Sequence, residues 1–397
     1  MALGKKPKAA RTSRIFSWFF RTFLPIQRKK IVFFQFSGNG YGCHLKAIAN
    51  EFIKRGLDKE FDLVWILKRG TRLTEAGLPP GIRGLINNGT NSLKELSTAK
   101  VWVNNIHFNV FIDKGLKKRK GTTYINTFHG GITIKRQVTD KNTYNPNKPI
   151  SRKTQMYRQD SEFVDYIISA CDTEAPVLKE FFYGHGEILK LGDARNDVLI
   201  NGSDEAVKKV RDTFNIEDDT RIILYAPTFR PRLKLHWYDL DYEKLIERLE
   251  SMSGSSWVML IRLHPRLVEV SAQIIPDSPK FIDASSYLDV QELSLASDML
   301  ISDYSSVATD YLLTRKPAFL YVPDLDRYVK RRGLYFSMDE MPFPYATTTD
   351  MLLKEIERFD QEQYSKRCDE FLQRINYLDD GKSAERIVDF IIDICKG

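Results

Sequence analysis

Apolar and polar positions along the chain follow two periods, one typical of buried strands and one typical of helices. Short, nearly unbroken apolar runs predict strands of a parallel sheet, because both faces of such a sheet are covered. Between these runs, apolar residues recur every three to four positions, which predicts helices. In the first half the predicted strands are 31–36, 61–67, 101–103, 122–126, 166–169 and 188–191, and the predicted helices are 45–54, 91–99 and 173–182.

The second half of the chain repeats this alternation after a polar stretch, 198–219, which is predicted to be a linker region. Alternating strands and helices predict an α/β protein with two doubly wound, Rossmann-like domains, 30–197 and 198–397. Ligands of such sheets bind at the carboxyl ends of the strands, so we expect a cleft between the domains. The predicted strands of this half are 221–226, 257–262, 281–283, 299–301 and 318–321, and the predicted helices are 242–251, 290–296, 305–313, 361–379 and 383–394.

Residues 1–29 differ in composition from the rest and predict a basic amphipathic segment. Drawn as a helix, Arg14, Ser17 and Arg21 share one side, and aromatic and aliphatic residues cover most of the remainder. The apolar run is interrupted by Arg21 and is shorter than the ~20 residues that span a bilayer. The pattern is typical of a helix at an anionic membrane surface, and the alternatives are a helix docked on the protein's own core or a disordered tail. The predicted membrane residues are Arg14, Trp18, Phe19, Arg21 and Phe23.

Composition narrows the classes of function. The 397 residues carry a net charge of +8, which suggests anionic partners such as nucleic acid, a phosphorylated substrate or a membrane surface. Nucleic-acid readers cluster arginines along a helix or interleave them with stacking aromatics, whereas the candidate charged groups here follow strands, so we expect no nucleic acid. The four cysteines are scattered without a CxxC pair, which argues against a zinc site and fits a reducing compartment.

Clusters of polar residues that could take part in catalysis or binding lie directly after predicted strands. In the first half, His129 follows strand 122–126, and Gly130 behind it allows a substrate to approach the backbone closely. Lys135 adds positive charge a few residues later. Taken alone, a histidine in this position is more often structural than functional, so both interpretations stay open at this point.

In the second half, arginines, a histidine and hydroxyls gather at predicted strand ends. Ser305 and Ser306 open a helix after strand 299–301, where unpaired amides and hydroxyls attract phosphate, although a simple helix cap is the alternative. This set suits a diphosphate. It does not suit a metal, because no carboxylate pair has ligand spacing, and we expect no metal and no cofactor. The candidate residues are Thr228, Arg230, Arg262, His264, Asp303, Ser305, Ser306 and Arg332.

The order and spacing of these motifs resembles the CDP-glycerol glycerophosphotransferase family, whose members prime and extend wall teichoic acids and related capsular polymers. The sequence departs from the family pattern at Phe128, Gly131, Ala194 and Ser302, where Trp, Thr, Pro and Thr are common, and none of these changes removes an ionisable group. The matching motifs are Phe-His-Gly-Gly-x-x-x-Lys at 128–135, Gly-x-x-Arg-Asn-Asp at 192–197, Tyr-Ala-Pro-Thr-Phe-Arg at 225–230, Arg-Leu-His-Pro at 262–265, Ser-Asp-Tyr-Ser-Ser at 302–306, Arg-Gly-Leu-Tyr-Phe at 332–336 and Asp-Gly-Lys-Ser-Ala at 380–384.

This resemblance implies a GT-B-type fold and transfer of glycerol phosphate or ribitol phosphate from CDP-glycerol or CDP-ribitol, with release of CMP. The acceptor would be a lipid-linked glycan or polymer at the cytoplasmic face of the membrane, where the enzyme would be peripheral. His129 would be the general base, since an imidazole suits proton transfer near pH 7. His264, Arg230, Ser305 and Ser306 would hold the diphosphate and stabilise the leaving CMP. Less direct roles, in the pocket or on the acceptor side, fall to Thr228, Arg262, Asp303, Arg332, Lys135, Gly130 and Asn196.

One alternative is a GT-B glycosyltransferase that uses a UDP- or GDP-sugar, because the same fold and diphosphate seat would serve it. The choice between glycerol and ribitol, between a primase and a polymerase, and between acceptors stays open. Homo-oligomerisation is also left open.

Overall fold

The computed structural model describes residues 8–131, 134–136, 150–230 and 240–397. The first seven residues of the predicted basic segment lie outside the described residues. The chain divides into two compact units, and each is discontinuous in sequence. Unit 1 comprises Met1–His129, Val138–Asp197 and Leu378–Gly397, and unit 2 comprises Gly130–Gln137 and Val198–Tyr377.

Unit 1 is built on a parallel sheet of seven strands in the order β3-β2-β1-β4-β5-β6-β7. The strand order reverses between β1 and β4, which is the position where ligands bind in doubly wound sheets. The strands are β1 (Gln27–Phe34), β2 (Asp62–Leu67), β3 (Ile82–Ile86), β4 (Ala99–Asn104), β5 (Thr123–Asn126), β6 (Tyr166–Ser169) and β7 (Glu187–Lys190). The helices are α1 (Lys8–Phe23), α2 (Cys43–Lys54), α3 (Thr90–Thr98), α4 (Asn109–Ile112), α5 (Arg152–Ser161), α6 (Glu174–Phe181), α7 (Asp197–Asn201, which begins at the last residue of the unit) and the C-terminal helix α15 (Ser383–Lys396).

The side chains of strand β1 pack in apolar cores on both faces of the unit 1 sheet. Successive side chains of a strand point to opposite faces. Ile31 and Phe33 pack in one core with α2 and α15, whereas Val32 and Phe34 pack in a second core on the other face. A strand buried on both faces must read as a continuous apolar run, which is what the sequence shows.

Unit 2 contains a parallel sheet of six strands in the order β10-β9-β8-β11-β12-β13, with its reversal between β8 and β11. One core of this unit packs α9 and α13 against the sheet. The strands are β8 (Arg221–Tyr225), β9 (Trp257–Ile261), β10 (Phe281–Asp283), β11 (Met299–Ser302), β12 (Ala318–Tyr321) and β13 (Tyr345–Ala346). The helices are α8 (Asp204–Phe214), α9 (Tyr242–Ser253), α10 (Val290–Ala296), α11 (Ser306–Tyr311), α12 (Leu325–Arg332), α13 (Thr349–Glu357) and α14 (Gln361–Arg374).

The structure corrects the predicted linker 198–219. Most of it is helical, because α8 opens with a Ser203 cap that accepts from Ala206 N and ends at Asn215 in the left-handed conformation. Only Ala206 and Val210 of this helix are buried, and most of its other residues are charged or polar, so the stretch as a whole resembles a polar connection. Strand β3 is also absent from the predicted elements, since it contains Gly84 and none of its residues is fully buried.

The compact units differ from the predicted domains at two places. Residues 378–397 belong to unit 1 rather than to the second half, because α15 buries Ile387, Val388 and Ile391 in the same core as Ile31. Residues 130–137 belong to unit 2. Sequence order alone does not reveal either exchange, since both place residues against partners that are remote in the chain.

Helix α1 packs one side on unit 1 and exposes the other. Ser17 is buried, and its Oγ donates to Gly115 O at 2.7 Å. Phe20 packs against the apolar core on the same side. The side of α1 that carries Ser17 therefore docks on the protein's own core, as in the alternative interpretation of this segment. The opposite side exposes Ile15, Phe16, Trp18, Phe19 and Phe23.

Candidate functional site

His129 lies just beyond β5, at the carboxyl edge of the unit 1 sheet, and its ring is oriented by two contacts. Its Nδ1 is 2.9 Å from the main-chain oxygen of Asn105. A carbonyl oxygen can only accept, so Nδ1 carries the proton and the neutral ring has its basic lone pair on Nε2. The ring of Phe36 packs edge-on against the imidazole, with 5.5 Å between the centroids. The residue is exposed, so the geometry suits a general base.

The backbone around His129 adopts conformations that are rare for residues other than glycine. Phe36 has a φ of 40° and Phe128 a φ of 55°. Such left-handed conformations cost roughly 1–3 kcal/mol and collect at functional sites. Two buried asparagines hold them in place, because Phe36 N donates to Asn105 Oδ1 at 2.9 Å and Phe128 N donates to Asn126 Oδ1 at 2.8 Å.

The Gly192–Asp197 motif supports His129 from behind. Arg195 is buried, and its Nη1 donates to His129 O at 2.6 Å. The predicted site residue Asn196 is fully buried, and its Nδ2 donates to Asp379 Oδ2 at 3.3 Å. Arg195 therefore contacts the predicted base directly, whereas Asn196 holds the C-terminal segment in place. Arg195 was not among the predicted site residues, although it lies in the motif that carried the resemblance.

The tail motif 380–384 has a structural role in unit 1. The carboxylate of Asp197 accepts from Ser383 N at 3.0 Å and from Ala384 N at 2.7 Å, so it caps the first turn of α15. Gly192 lies so close to this turn that a Cβ on it would meet Ser383 Oγ at 2.3 Å. The motifs at 192–197 and 380–384 thus contact each other and connect distant parts of the chain.

Two buried ionisable groups lie in the same region of unit 1. His44 is fully buried in the first turn of α2, and burial, with the charges of Arg195 and His129, lowers its pKa well below the usual value. Burial raises the pKa of Glu174 to about 7, although hydrogen bonds from Ala170 N and Ser169 Oγ oppose the shift. His44 is neutral at pH 7, so Arg195 supplies the fixed positive charge beside His129.

In unit 2, Arg230 and Asp303 join the loops that follow β8 and β11, at the reversal of the strand order. Arg230 Nη1 donates to Asp303 Oδ2 at 2.9 Å, and its Nε and Nη2 donate to the two oxygens of Asp324, each at 3.0 Å. Thr228 N donates to both oxygens of Asp303 at 2.9 and 3.0 Å, and Thr228 O accepts from Arg230 Nη1. The guanidinium of Arg230 is buried among these acceptors, so the structure places it in a scaffold of the loops.

A stacked pair of tyrosines lies beside this guanidinium. The rings of Tyr304 and Tyr328 stack with 3.7 Å between their centroids, and the Arg230 Cζ lies 5.2 and 5.0 Å from the respective rings. Tyr304 Oη also donates to Asp324 Oδ1 at 3.1 Å. Tyr328 belongs to α12, so this cluster fixes the start of α12 beside the loop that contains Asp303.

The segment 134–136 brings Lys135 to the same region of unit 2. It pairs antiparallel with the residues after α12, through Arg136 N to Gly333 O at 3.0 Å and Tyr335 N to Ile134 O at 2.9 Å. Burial lowers the pKa of Lys135 to about 8, with the carboxylate of Asp303 opposing the shift and the guanidiniums of Arg332 and Arg230 adding to it. Lys135 and Arg332 therefore form a concentration of positive charge in unit 2, beside the Arg230–Asp303 scaffold.

The remaining predicted donor-side residues have different settings. His264 is exposed and its ring contacts that of Phe229, with 5.1 Å between the centroids. Arg262 is half-buried and donates from Nη2 to Tyr287 O at 3.5 Å. Ser305 caps α11 by accepting from Val307 N at 3.5 Å, which realises the simpler of the two interpretations of that hydroxyl. Ser306 is half-buried in the first turn.

Within the described ranges, no group of three or more His, Cys, Asp or Glu side chains could hold a metal ion. Lys135 and Arg332 carry the positive charge needed to bind phosphate oxygens. The chemistry of the two edges is thus a basic imidazole in unit 1 and a cationic, hydroxyl-bearing region in unit 2.

Comparison with known proteins agrees with this chemistry. A sequence model described as CDP-glycerol:poly(glycerophosphate) glycerophosphotransferase matches residues 16–393. The chain belongs to this family. The resemblance seen in the sequence is therefore confirmed, and curated members of the glycerophosphotransferase family similar to this chain include both glycerol-phosphate and ribitol-phosphate enzymes.

Two polymerases illustrate the similarity within the glycerophosphotransferase family. The teichoic acid poly(glycerol phosphate) polymerase of Staphylococcus epidermidis is 30% identical over 92% of this chain and 51% of its own length. The polymerase of the same name from Bacillus subtilis is 28% identical over 93% of this chain and 49% of its own length. The chain thus spans about half the length of these two relatives.

A solved structure supports the fold assignment. The wall teichoic acid polymerase TagF, in a histidine-to-asparagine variant soaked with CDPG, matches with a TM-score of 0.80 and 28% identity, over 98% of this chain and 94% of that chain. This match confirms the predicted fold class of an α/β protein with two Rossmann-like units. No described helix is long and apolar enough to cross a membrane.

Proposed function

We propose that the protein transfers glycerol phosphate or ribitol phosphate from CDP-glycerol or CDP-ribitol to a hydroxyl of a membrane-linked glycan or polyol-phosphate acceptor. The acceptor oxygen forms a bond to the β-phosphorus of the donor, the bond from that phosphorus to the bridging oxygen breaks, and CMP leaves with the electron pair. The proton of the acceptor hydroxyl passes to Nε2 of His129. The observation that carries the proposal is the contact between His129 Nδ1 and Asn105 O, because it fixes the tautomer of a base.

Unit 2 would bind the donor. Lys135 and Arg332 supply charge for the diphosphate, and His264, Ser305, Ser306 and Arg262 remain candidates for its other contacts. The role of Arg230 and Asp303 is revised from the sequence-based prediction. Their buried contacts with each other support a positioning role, in which they hold the loops after β8 and β11 in place for the donor.

The exposed side of α1 supports peripheral attachment to the cytoplasmic face of an anionic membrane. Trp18, Phe19 and Phe23 would lie at the acyl boundary, whereas Arg14 and Arg21 share the side of the helix that carries Ser17. The proposed function gives this surface a purpose, because a lipid-linked acceptor is presented at a bilayer.

The test of the proposal is CMP release from CDP-glycerol and, separately, from CDP-ribitol, with and without a lipid-linked saccharide acceptor. Acceptor-dependent CMP from one donor is the expected result, and it identifies the polyol at the same time. Consumption of a UDP-sugar, with no CMP from either donor, would replace the proposal with the glycosyltransferase alternative.

A further inference from the structure

Gln35 and Asn105 directly follow the two strands that flank the reversal point of the unit 1 sheet. In the register of β1 and β4, Phe34 pairs with Asn104, so these two residues occupy equivalent positions one step beyond the pair. Both are buried, with exposed fractions of 2% and 0%. Ligands of doubly wound sheets bind at this point, which makes buried polar groups here candidates for substrate contacts.

Each side chain has one amide group with a partner and one without. Asn105 Oδ1 accepts from Phe36 N at 2.9 Å, and since a main-chain N–H can only donate, the orientation of the amide is fixed. Gln35 Nε2 donates to Asn39 O at 3.2 Å, which fixes the second amide in the same way. Within the described part of the chain, Asn105 Nδ2 and Gln35 Oε1 have no hydrogen-bond partner.

A buried amide group without a partner is unfavourable, and folded proteins rarely retain one. Among the buried side-chain groups without a partner in the described residues, Asn105 Nδ2 and Gln35 Oε1 form a donor and an acceptor at adjacent strand ends. A hydroxyl is both donor and acceptor, so it can accept from Asn105 Nδ2 and donate to Gln35 Oε1, whereas a phosphate can only accept. The pair therefore matches a hydroxyl of the substrate better than its phosphate.

The position of Asn105 relates this pair to the reacting group. Its main-chain oxygen accepts from His129 Nδ1, so one residue orients the base and presents the amide. We propose that Gln35 and Asn105 bind the hydroxyl that neighbours the nucleophilic hydroxyl of the acceptor, and so select acceptors that end in a vicinal diol of a polyol or sugar. This inference rests on the proposed transferase function and assigns the acceptor chemistry of the same site.

The decisive experiment compares two acceptors in wild type and in the variant Asn105→Asp. One acceptor ends in glycerol phosphate, and the other ends in a propane-1,3-diol phosphate that keeps the reacting hydroxyl and lacks its neighbour. Asn105→Asp retains an oxygen for Phe36 N and removes the Nδ2 donor. We expect the variant to raise the acceptor KM about tenfold, as loss of one hydrogen bond does, and to leave the donor KM unchanged.

The loss caused by Asn105→Asp and the loss caused by the missing hydroxyl of the acceptor should not be additive. Wild type is expected to discriminate against the deoxy acceptor by about tenfold, and the variant is expected to use both acceptors equally poorly. Additive losses, or an unchanged acceptor KM in Asn105→Asp, would overturn the proposal and leave Asn105 as an amide that binds a buried water. Gln35→Glu keeps an acceptor oxygen, so this variant is expected to retain most of the discrimination between the two acceptors. Loss of that discrimination in Gln35→Glu would also count against the proposal.

A matched control uses Asn87, which directly follows β3 at the edge of the same sheet and accepts from Gly89 N at 3.1 Å. Asn87→Asp is the same substitution away from the reversal point and should leave the acceptor KM unchanged. If Asn105→Asp fails to fold, the discrimination of wild type between the two acceptors decides alone, because equal use of both contradicts the proposal. Absence of acceptor-dependent CMP in wild type would instead reject the proposed function itself.

Discussion

Arg195 Nη1 lies 2.6 Å from the main-chain oxygen of His129, although the two residues are 66 positions apart. This contact ties the Gly192–Asp197 motif to the residue with the basic nitrogen. Together with Asn105 O on the ring, it holds His129 from two directions. The imidazole is thus held by a main-chain oxygen, and the backbone of the same residue is held by a charged guanidinium.

Replacement of His129 should remove proton transfer. We expect His129→Ala to lower kcat by ~10²–10⁴ while the donor KM changes little, because the ring belongs to unit 1 and the donor contacts are assigned to unit 2. The measurement is acceptor-dependent CMP release. His185→Ala, at an exposed histidine of the same unit, is the control and should be normal. Wild-type turnover in His129→Ala would exclude it as the base.

Replacement of Arg230 should act on stability as well as on activity. Arg230→Met leaves Asp303 and Asp324 buried without their cation, and breaking a buried ion pair in this way costs about 3–5 kcal/mol. The free energy of unfolding from urea titration measures the loss. Arg248→Met, at an exposed pair with Glu357, should cost less than about 1 kcal/mol. A stable Arg230→Met with a raised donor KM would instead restore the direct role in diphosphate binding.

The charge of Lys135 should make donor binding depend on pH. Burial lowers its pKa to about 8, so the ammonium is mostly charged at pH 7 and mostly neutral at pH 9. Asp303, Arg332 and Arg230 are the charged groups that act on it. We therefore expect the donor KM to rise between pH 7 and pH 9, and Lys135→Met to raise it at pH 7 and flatten the dependence. Lys330→Met, at an exposed lysine of α12, should retain the wild-type profile, and the same profile in Lys135→Met would reject the assignment.

The cap of α15 should contribute measurably to the stability of the protein. Asp197→Ala removes the acceptor of Ser383 N and Ala384 N, and loss of such a cap costs about 0.5–2 kcal/mol. Urea titration of the full chain measures the change. Asp393→Ala, at the exposed end of the same helix, should be close to neutral. Equal stabilities of the two variants would show that the contact between the motifs at 192–197 and 380–384 does not depend on the cap.

Attachment to membranes should depend on the exposed side of α1. Trp18→Glu replaces a side chain that is 52% exposed, and removal of such apolar area from a bilayer boundary costs ~1.5–3 kcal/mol, or roughly tenfold or more in partition. Sedimentation with phosphatidylglycerol vesicles measures it. Leu288→Glu, at an exposed leucine of unit 2, is the control. Undiminished sedimentation of Trp18→Glu would remove α1 from the membrane proposal.

The sequence predicted the fold where burial leaves a strong pattern. Strand β6 and strand β12 are covered on both faces and were predicted with their observed bounds, because fully buried strands read as apolar runs. Helix α8 lies in the stretch predicted to be a linker, since it buries only two of its eleven residues and most of the others are polar. Apolar residues are too few in such a helix to distinguish it from a polar connection.

For the predicted site residues, too, the sequence predicted the location but not the contacts. Their location after strands followed from the pattern, and the structure places them at two sheet edges. Their contacts did not follow, since the partner of Arg230 is Asp324, 94 residues away, and the ring of His129 is held by a main-chain oxygen that any residue could supply. Motif spacing predicts functional positions, whereas the distinction between a ligand contact and a scaffold contact requires the tertiary partners.

The exchange of segments between the units has a consequence for biosynthesis. Residues 378–397 complete the core of unit 1, yet the ribosome makes them after all of unit 2. Domains usually fold in the order of their translation, but here the N-terminal unit must wait for the last segment. The apolar surface that α15 covers stays open to chaperones until translation of that segment ends, and the inserted unit 2 is able to fold first.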